Sequence, residues 1–168
     1  MVSYLLKPRS LCLIHMGLKG LELAKAYPAV LPKEDMDKII FQSIPFGAND
    51  GDFATRTIGD NVISGYIFSV PGTTNERADI ATLTVIFGSL DFQPQTIKKT
   101  FSFIVQELTN NDSLSIDTIE RILPQIYDGL TKGSFKIKVH SKLTIEFEID
   151  QTDKSKKTPL KDFSDDVW

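Results

Sequence analysis

The side chains able to do chemistry are few and scattered. Two histidines, His15 and His140, cannot complete a three-ligand zinc site without carboxylates, and no H-x-x-x-H or H-x-x-E spacing occurs. His15 sits in an apolar run and reads as a packed or edge residue, while His140 reads as exposed at a hairpin tip. Cys12 shares the run of His15 and reads as an inert core thiol. As the single cysteine it forms no internal disulfide and no Cys-rich zinc site. Asp50, Asp52 and Asp60 lie near Asn49 and Asn61, but the D-x-[DN]-x-[DN]-G calcium loop with its distal Glu is absent. Turn chemistry accounts for these residues. Neither G-x-x-x-x-G-K-[ST] nor G-x-G-x-x-G occurs, which argues against nucleotide hydrolysis by the chain itself. No serine stands in a nucleophile-elbow context. Arg77, in Thr73-Thr74-Asn75-Glu76-Arg77, reads first as a surface arginine of a hairpin loop. An enzyme would need His15, Asp50, Asp52 and Arg77 to converge in a concave pocket with shifted pKa values. No catalytic residue, cofactor or metal is assigned from the sequence.

The elements that would position these groups are punctuated by Gly, Pro and Asn. Leu11 to Met16 and Leu21 to Tyr27 flank Gly17-Leu18-Lys19-Gly20 and predict a β-hairpin. Pro28 and Pro32 stop pairing for want of an amide donor. Met36, Ile40 and Ile44 recur at i, i+4 and i+8 with Ile39 beside them, which predicts a helix over Lys33 to Ile44 with acidic residues in its first turn. Three strands follow, Phe53 to Ile58, Val62 to Val70 and Asp79 to Phe87, with the second expected in the sheet interior. From Pro94 the period changes: Ile97, Phe101, Ile104, Val105 and Leu108 form a helical stripe. Ser115 is a predicted N-cap for a further helix, Gly133 its C-cap, and Pro124 predicts a bend or break inside it. Ser134 to Ile149 alternates apolar and polar residues. One strand of that length would span roughly 50 Å, so a hairpin turning near Ser141 to Leu143 is expected, with Lys136 opposite Glu148 and Lys138 opposite Glu146.

Length and composition bound the class. The 168 residues are about one domain's worth, 41% hydrophobic and 24% charged, enough to build a core. Nineteen basic against 22 acidic residues leaves a net charge of −3, which argues against a nucleic-acid partner. No apolar run reaches the ~18–20 residues of a membrane span, and residues 1–9 read as a leader without a signal-peptide core. With one cysteine, a reducing, cytoplasmic location is expected. The organisation read from the sequence is a leader (1–9), a domain (10–132), an appended β-hairpin (133–150) and a polar, then acidic, flexible tail (151–168). In that tail Phe163 and Trp168 are candidate anchors of a short docking motif.

The element order resembles that of the longin family, found in trafficking SNAREs, small adaptor subunits, tethering subunits and DENN-type GTPase regulators. Leu11-Cys12-Leu13-Ile14-His15 resembles a longin first strand. Gly20-Leu21-Glu22-Leu23-Ala24-Lys25-Ala26-Tyr27-Pro28 resembles a DENN-type second strand ending in proline. Ile63-Ser64-Gly65-Tyr66-Ile67-Phe68-Ser69 and Ala81-Thr82-Leu83-Thr84-Val85-Ile86-Phe87 resemble its central strands. The resemblance covers roughly residues 10 to 132. It implies an α+β fold: a longin-like mixed five-stranded sheet between one helix and two, here extended by the C-terminal hairpin. The chain shows neither the long C-terminal coil nor the membrane anchor of longin SNAREs, so a stand-alone longin-type subunit, as in archaea with eukaryote-like trafficking genes, is the better match. The family likeness further implies a non-catalytic scaffold, at most peripherally membrane-associated. Its partner would be a small GTPase or another longin- or roadblock-type subunit, in a homo- or heterodimer. The implied contact region runs from the first helix to Gly51, with Lys38, Gln42 and Asn49 as rim and Ile39 or Phe41 as anchor. Arg77 is similar in placement to the arginine that some longin-containing GTPase activators supply in trans. A roadblock- or profilin-like binding module is the alternative, and it predicts a helix ahead of the first strand, for which Pro8 is poor material.

Overall fold

The computed structural model describes residues 7–17, 20–45, 47–71 and 79–149. Ten elements run in the order β1 (Ser10–Gly17), β2 (Gly20–Tyr27), α1 (Lys33–Ser43), β3 (Phe53–Ile58), β4 (Asn61–Val70), β5 (Asp79–Phe87), α2 (Pro94–Asn110), α3 (Ile116–Lys132), β6 (Ser134–His140) and β7 (Leu143–Glu148). The fold is α+β.

Five strands form one sheet in the order β2-β1-β5-β4-β3, with β5 at its centre and β4 beside it, in the interior as expected. All four pairings are antiparallel, so the sheet expected to be mixed contains no parallel pair. The reason lies in the crossover. α1 joins β2 to β3, which run in the same direction, but the meander β3-β4-β5 places them at opposite edges where they never meet. Alternation along the strands sends Leu11, Leu13, Leu83, Val85 and Phe68 to one face and Cys12, Ile14, Ile63 and Ile86 to the other. The first face meets α2 and α3; the second meets Met36 and Ile39 of α1. One helix therefore covers one face and two cover the other, as anticipated.

The α2 stripe is buried at every predicted position, Ile97, Phe101, Ile104, Val105 and Leu108. Ser115 caps α3, its hydroxyl accepting the Thr118 amide at 3.0 Å, and Gly133 ends it in the left-handed region at φ 82°. Of the bend or break expected at Pro124, the break does not occur: α3 is continuous from Ile116 to Lys132. Apolar packing on both sides of the proline, by Ile119, Ile122, Leu123, Ile126 and Leu130, holds the helix across the one hydrogen bond it lacks.

The C-terminal hairpin does not extend the sheet. It forms a separate two-stranded sheet, and its apolar side, Phe135, Ile137, Val139 and Ile145, joins the core built by α2 and α3. Gly133 is the whole link between α3 and β6, so β6 has to turn straight back along the helix and cannot reach a sheet edge. The edge of β6 is then satisfied by α3 side chains. Gln125 donates to the Lys138 carbonyl at 3.2 Å and accepts its amide at 2.8 Å, and Arg121 donates to the Val139 carbonyl. The expected register is also corrected. Lys136 faces Glu146, with Nζ to Oε2 at 3.9 Å, while Glu148 faces Ser134 and Lys138 faces Thr144. Leu143 must already point inward as a strand residue, which moves the turn forward to Ser141-Lys142 and shifts every pair by two.

Candidate functional site

α1 turns Met36, Ile39 and Ser43 inward and packs Ile40 partly against them. A helix of this length has then no freedom left on its far side: Lys38, Phe41 and Gln42, at i, i+3 and i+4, share the outward surface. Ile39 is fully buried, so of the two proposed anchors it belongs to the core. Phe41 is 81% exposed, the most exposed of the large apolar side chains among the described residues. Lys38 and Gln42 are exposed beside it. The Lys33–Asp37 pair, 3.1 Å apart and solvated, fixes little.

Asn49 is exposed in the loop that follows α1, and that loop is stapled to β4. The Asn49 amide donates to Asp52 Oδ2 at 2.8 Å, and Asp50 Oδ1 accepts the Ser69 amide at 3.0 Å. Gly51, at φ 92°, lets the chain turn so that its amide meets the Ile67 carbonyl at 2.7 Å, while Ile67 donates to the Asp52 carbonyl at 2.8 Å. Asp50 and Asp52 are therefore engaged in turn chemistry, as expected from their company of Asn and Gly.

The set that an enzyme would need does not converge among the described residues. His15 stands on β1, with Nε2 3.8 Å from Glu22 Oε1, and β5 separates it from the strand that holds Asp50. No group of three His, Cys, Asp or Glu among the described residues could hold a metal ion. His140 is exposed at the hairpin tip, as read, but it is also tied down. The Lys142 amide donates to Nδ1 at 3.2 Å, which leaves Nε2 as the N–H facing Ser113 Oγ at 3.3 Å. Arg77, Phe163 and Trp168 lie outside the described residues.

Cys12 is fully buried, and burial pushes its thiol up to about 12 against a weak opposing contact from the Ser10 hydroxyl at 4.0 Å. Two outcomes are expected. A thiol reagent should label Cys12 only at the rate of unfolding. Because the unfolded thiol ionises first, the stability that Cys12 contributes is complete below about pH 9 and is lost as pH rises toward about 12. Denaturation of the wild type and of Cys12→Ala across that range checks it: the wild type should lose stability more steeply, and parallel slopes would contradict the burial argument.

The structure thus brings Lys38, Phe41 and Gln42 together on one helix face and fixes Asn49 in the loop behind it. Among the described residues it leaves His15 apart from Asp50 and Asp52. Compared with known proteins, the chain matches no family model, and a search of curated proteins returned no match.

Proposed function

We propose that the chain is a non-catalytic, longin-like interaction scaffold of membrane trafficking or small-GTPase regulation. It binds a small GTPase or another longin- or roadblock-type subunit and does not itself hydrolyse nucleotide. The observation that carries the reading is Phe41: an aromatic ring left in water on the outer face of α1, between Lys38 and Gln42, with the sheet order β2-β1-β5-β4-β3 behind it. A buried phenylalanine side chain gains roughly 1.5–3 kcal/mol over an exposed one, which a partner surface can supply. Long polar neighbours at its margin fit the rim that excludes water from such an anchor. In this reading the chain works in the cytoplasm with at most peripheral contact to a membrane. Among the described residues no helix is long and apolar enough to cross one.

The test is affinity capture from native cells, followed by binding of the GTPases and longin-type subunits recovered, each GTPase in its GDP and GTP forms. Phe41→Asp should weaken capture about tenfold or more, equivalent to ~1.4 kcal/mol, while its thermal unfolding stays within about 0.5 kcal/mol of wild type. Unchanged binding by a folded Phe41→Asp variant removes α1 from the interface. Nucleotide turnover by the purified protein would overturn the non-catalytic reading.

A further inference from the structure

A groove of about 180 Å³ runs between α2 and β7. Thr96, Lys99, Thr100 and Phe103, at i, i+3, i+4 and i+7, form one wall along a single face of α2; Phe147, Glu148 and Ile149 form the other. The volume falls below the about 300–1,000 Å³ of a small-molecule site and suits one ring-sized side chain. Phe103 is 41% exposed although its ring meets Phe147 edge-on, centroids 4.8 Å apart, so an aromatic surface is left open to a third ring.

We propose that residues 160–168 of the same chain fill this groove, with Trp168 seated against Phe103 and Phe147 and Phe163 leading up to it. Ile149 is both a wall of the groove and the last described residue, so the remaining chain starts at the groove itself. Phe163 follows 14 positions later, ample chain at up to about 3.5 Å per residue to double back across one helix. The groove carries one charge of each sign, Glu148 and Lys99, and the segment carries both in turn, basic at Lys154, Lys156 and Lys157 and acidic at Asp162, Asp165 and Asp166. Tethering supplies an effective concentration on the order of mM, so even a weak aromatic contact is occupied. The inference is independent of the α1 surface, which lies across the sheet.

Trp168 is the only tryptophan, so intrinsic fluorescence of the full chain reports on this segment directly. Emission should be blue-shifted relative to a synthetic peptide of residues 150–168, and acrylamide quenching several-fold weaker. Phe103→Ala and, separately, the exposed Lys99→Glu should each return the signal toward that of the peptide. Circular dichroism confirms that the variants are folded, and Lys99→Glu keeps the test sharp if Phe103→Ala loosens the hairpin. Emission and quenching equal to the peptide's in the wild type would overturn the proposal. So would protection that disappears on dilution, because the groove would then hold the segment of a second copy.

Discussion

Phe101→Ala should lower the unfolding free energy by roughly 3–5 kcal/mol, a large part of the whole for a domain of this size. The ring is fully buried at the middle of the α2 stripe, where α2, α3 and the sheet face of Leu11, Leu83 and Phe68 share one core. Removing it leaves a cavity walled on several sides by elements that cannot all collapse inward, so the transfer cost and the cavity cost add. Gln95→Ala, exposed on the same helix, should stay within about 0.5 kcal/mol. Urea denaturation of the two variants separates them, and equal midpoints would mean that the stripe does not carry the core.

Gly129→Ala is the second large effect, and its sign runs against helix propensity. In a solvated helix this change gains about 1 kcal/mol. In α3 the added methyl would overlap the ring of Phe135, which is itself buried and stacked on Phe147 with centroids 4.3 Å apart. The ring has no empty space to retreat into, so overpacking of about 1–3 kcal/mol or more exceeds the gain and the variant is less stable. Phe135→Leu combined with Gly129→Ala should recover part of the loss, since a smaller side chain at 135 admits the methyl. A stabilised single variant would show that β6 does not press on α3 as described.

Fold was legible in the sequence wherever one periodicity had no competitor. The spacing of Ile97, Phe101, Ile104, Val105 and Leu108 fits only a helix with one buried face, and Gly59-Asp60-Asn61 fits only a tight turn. Legibility failed where two arrangements bury the same residues. A hairpin register displaced by two keeps Phe135, Ile137 and Ile145 inward in either case, and only the turn at Ser141-Lys142 decides it. Pro124 leaves α3 unbroken because a local rule about one missing hydrogen bond says nothing of the packing on either side. The direction of β5 against β1 depends on which strands become neighbours, which no local pattern states. At the candidate surface, Ile39 and Phe41 are two apolar residues 200° apart on one helix, and composition cannot say which one faces out. Phe103 carries no periodic signal of its own, and Phe147 reads only as one apolar position of the alternating stretch Ser134 to Ile149. Phe103 lies off the Ile97 stripe by about one-third of a turn, a flank that only the returning hairpin makes into a wall.

The single-residue link at Gly133 also sets a timetable. Ribosomes deliver the chain from its N-terminus, and a domain takes shape as its parts emerge. The sheet can close when β5 arrives, and α2 and α3 can settle on it soon afterward. The outer flank of α3, with Ile122 and the notch at Gly129, stays uncovered until Phe135 and its neighbours are made. The nascent protein therefore carries a sticky helical flank until residues 133–149 have been made. Residues 133–149 act as the clasp that ends this exposure, so a chain cut at residue 132 would be a permanent client of chaperones rather than a smaller version of the same domain.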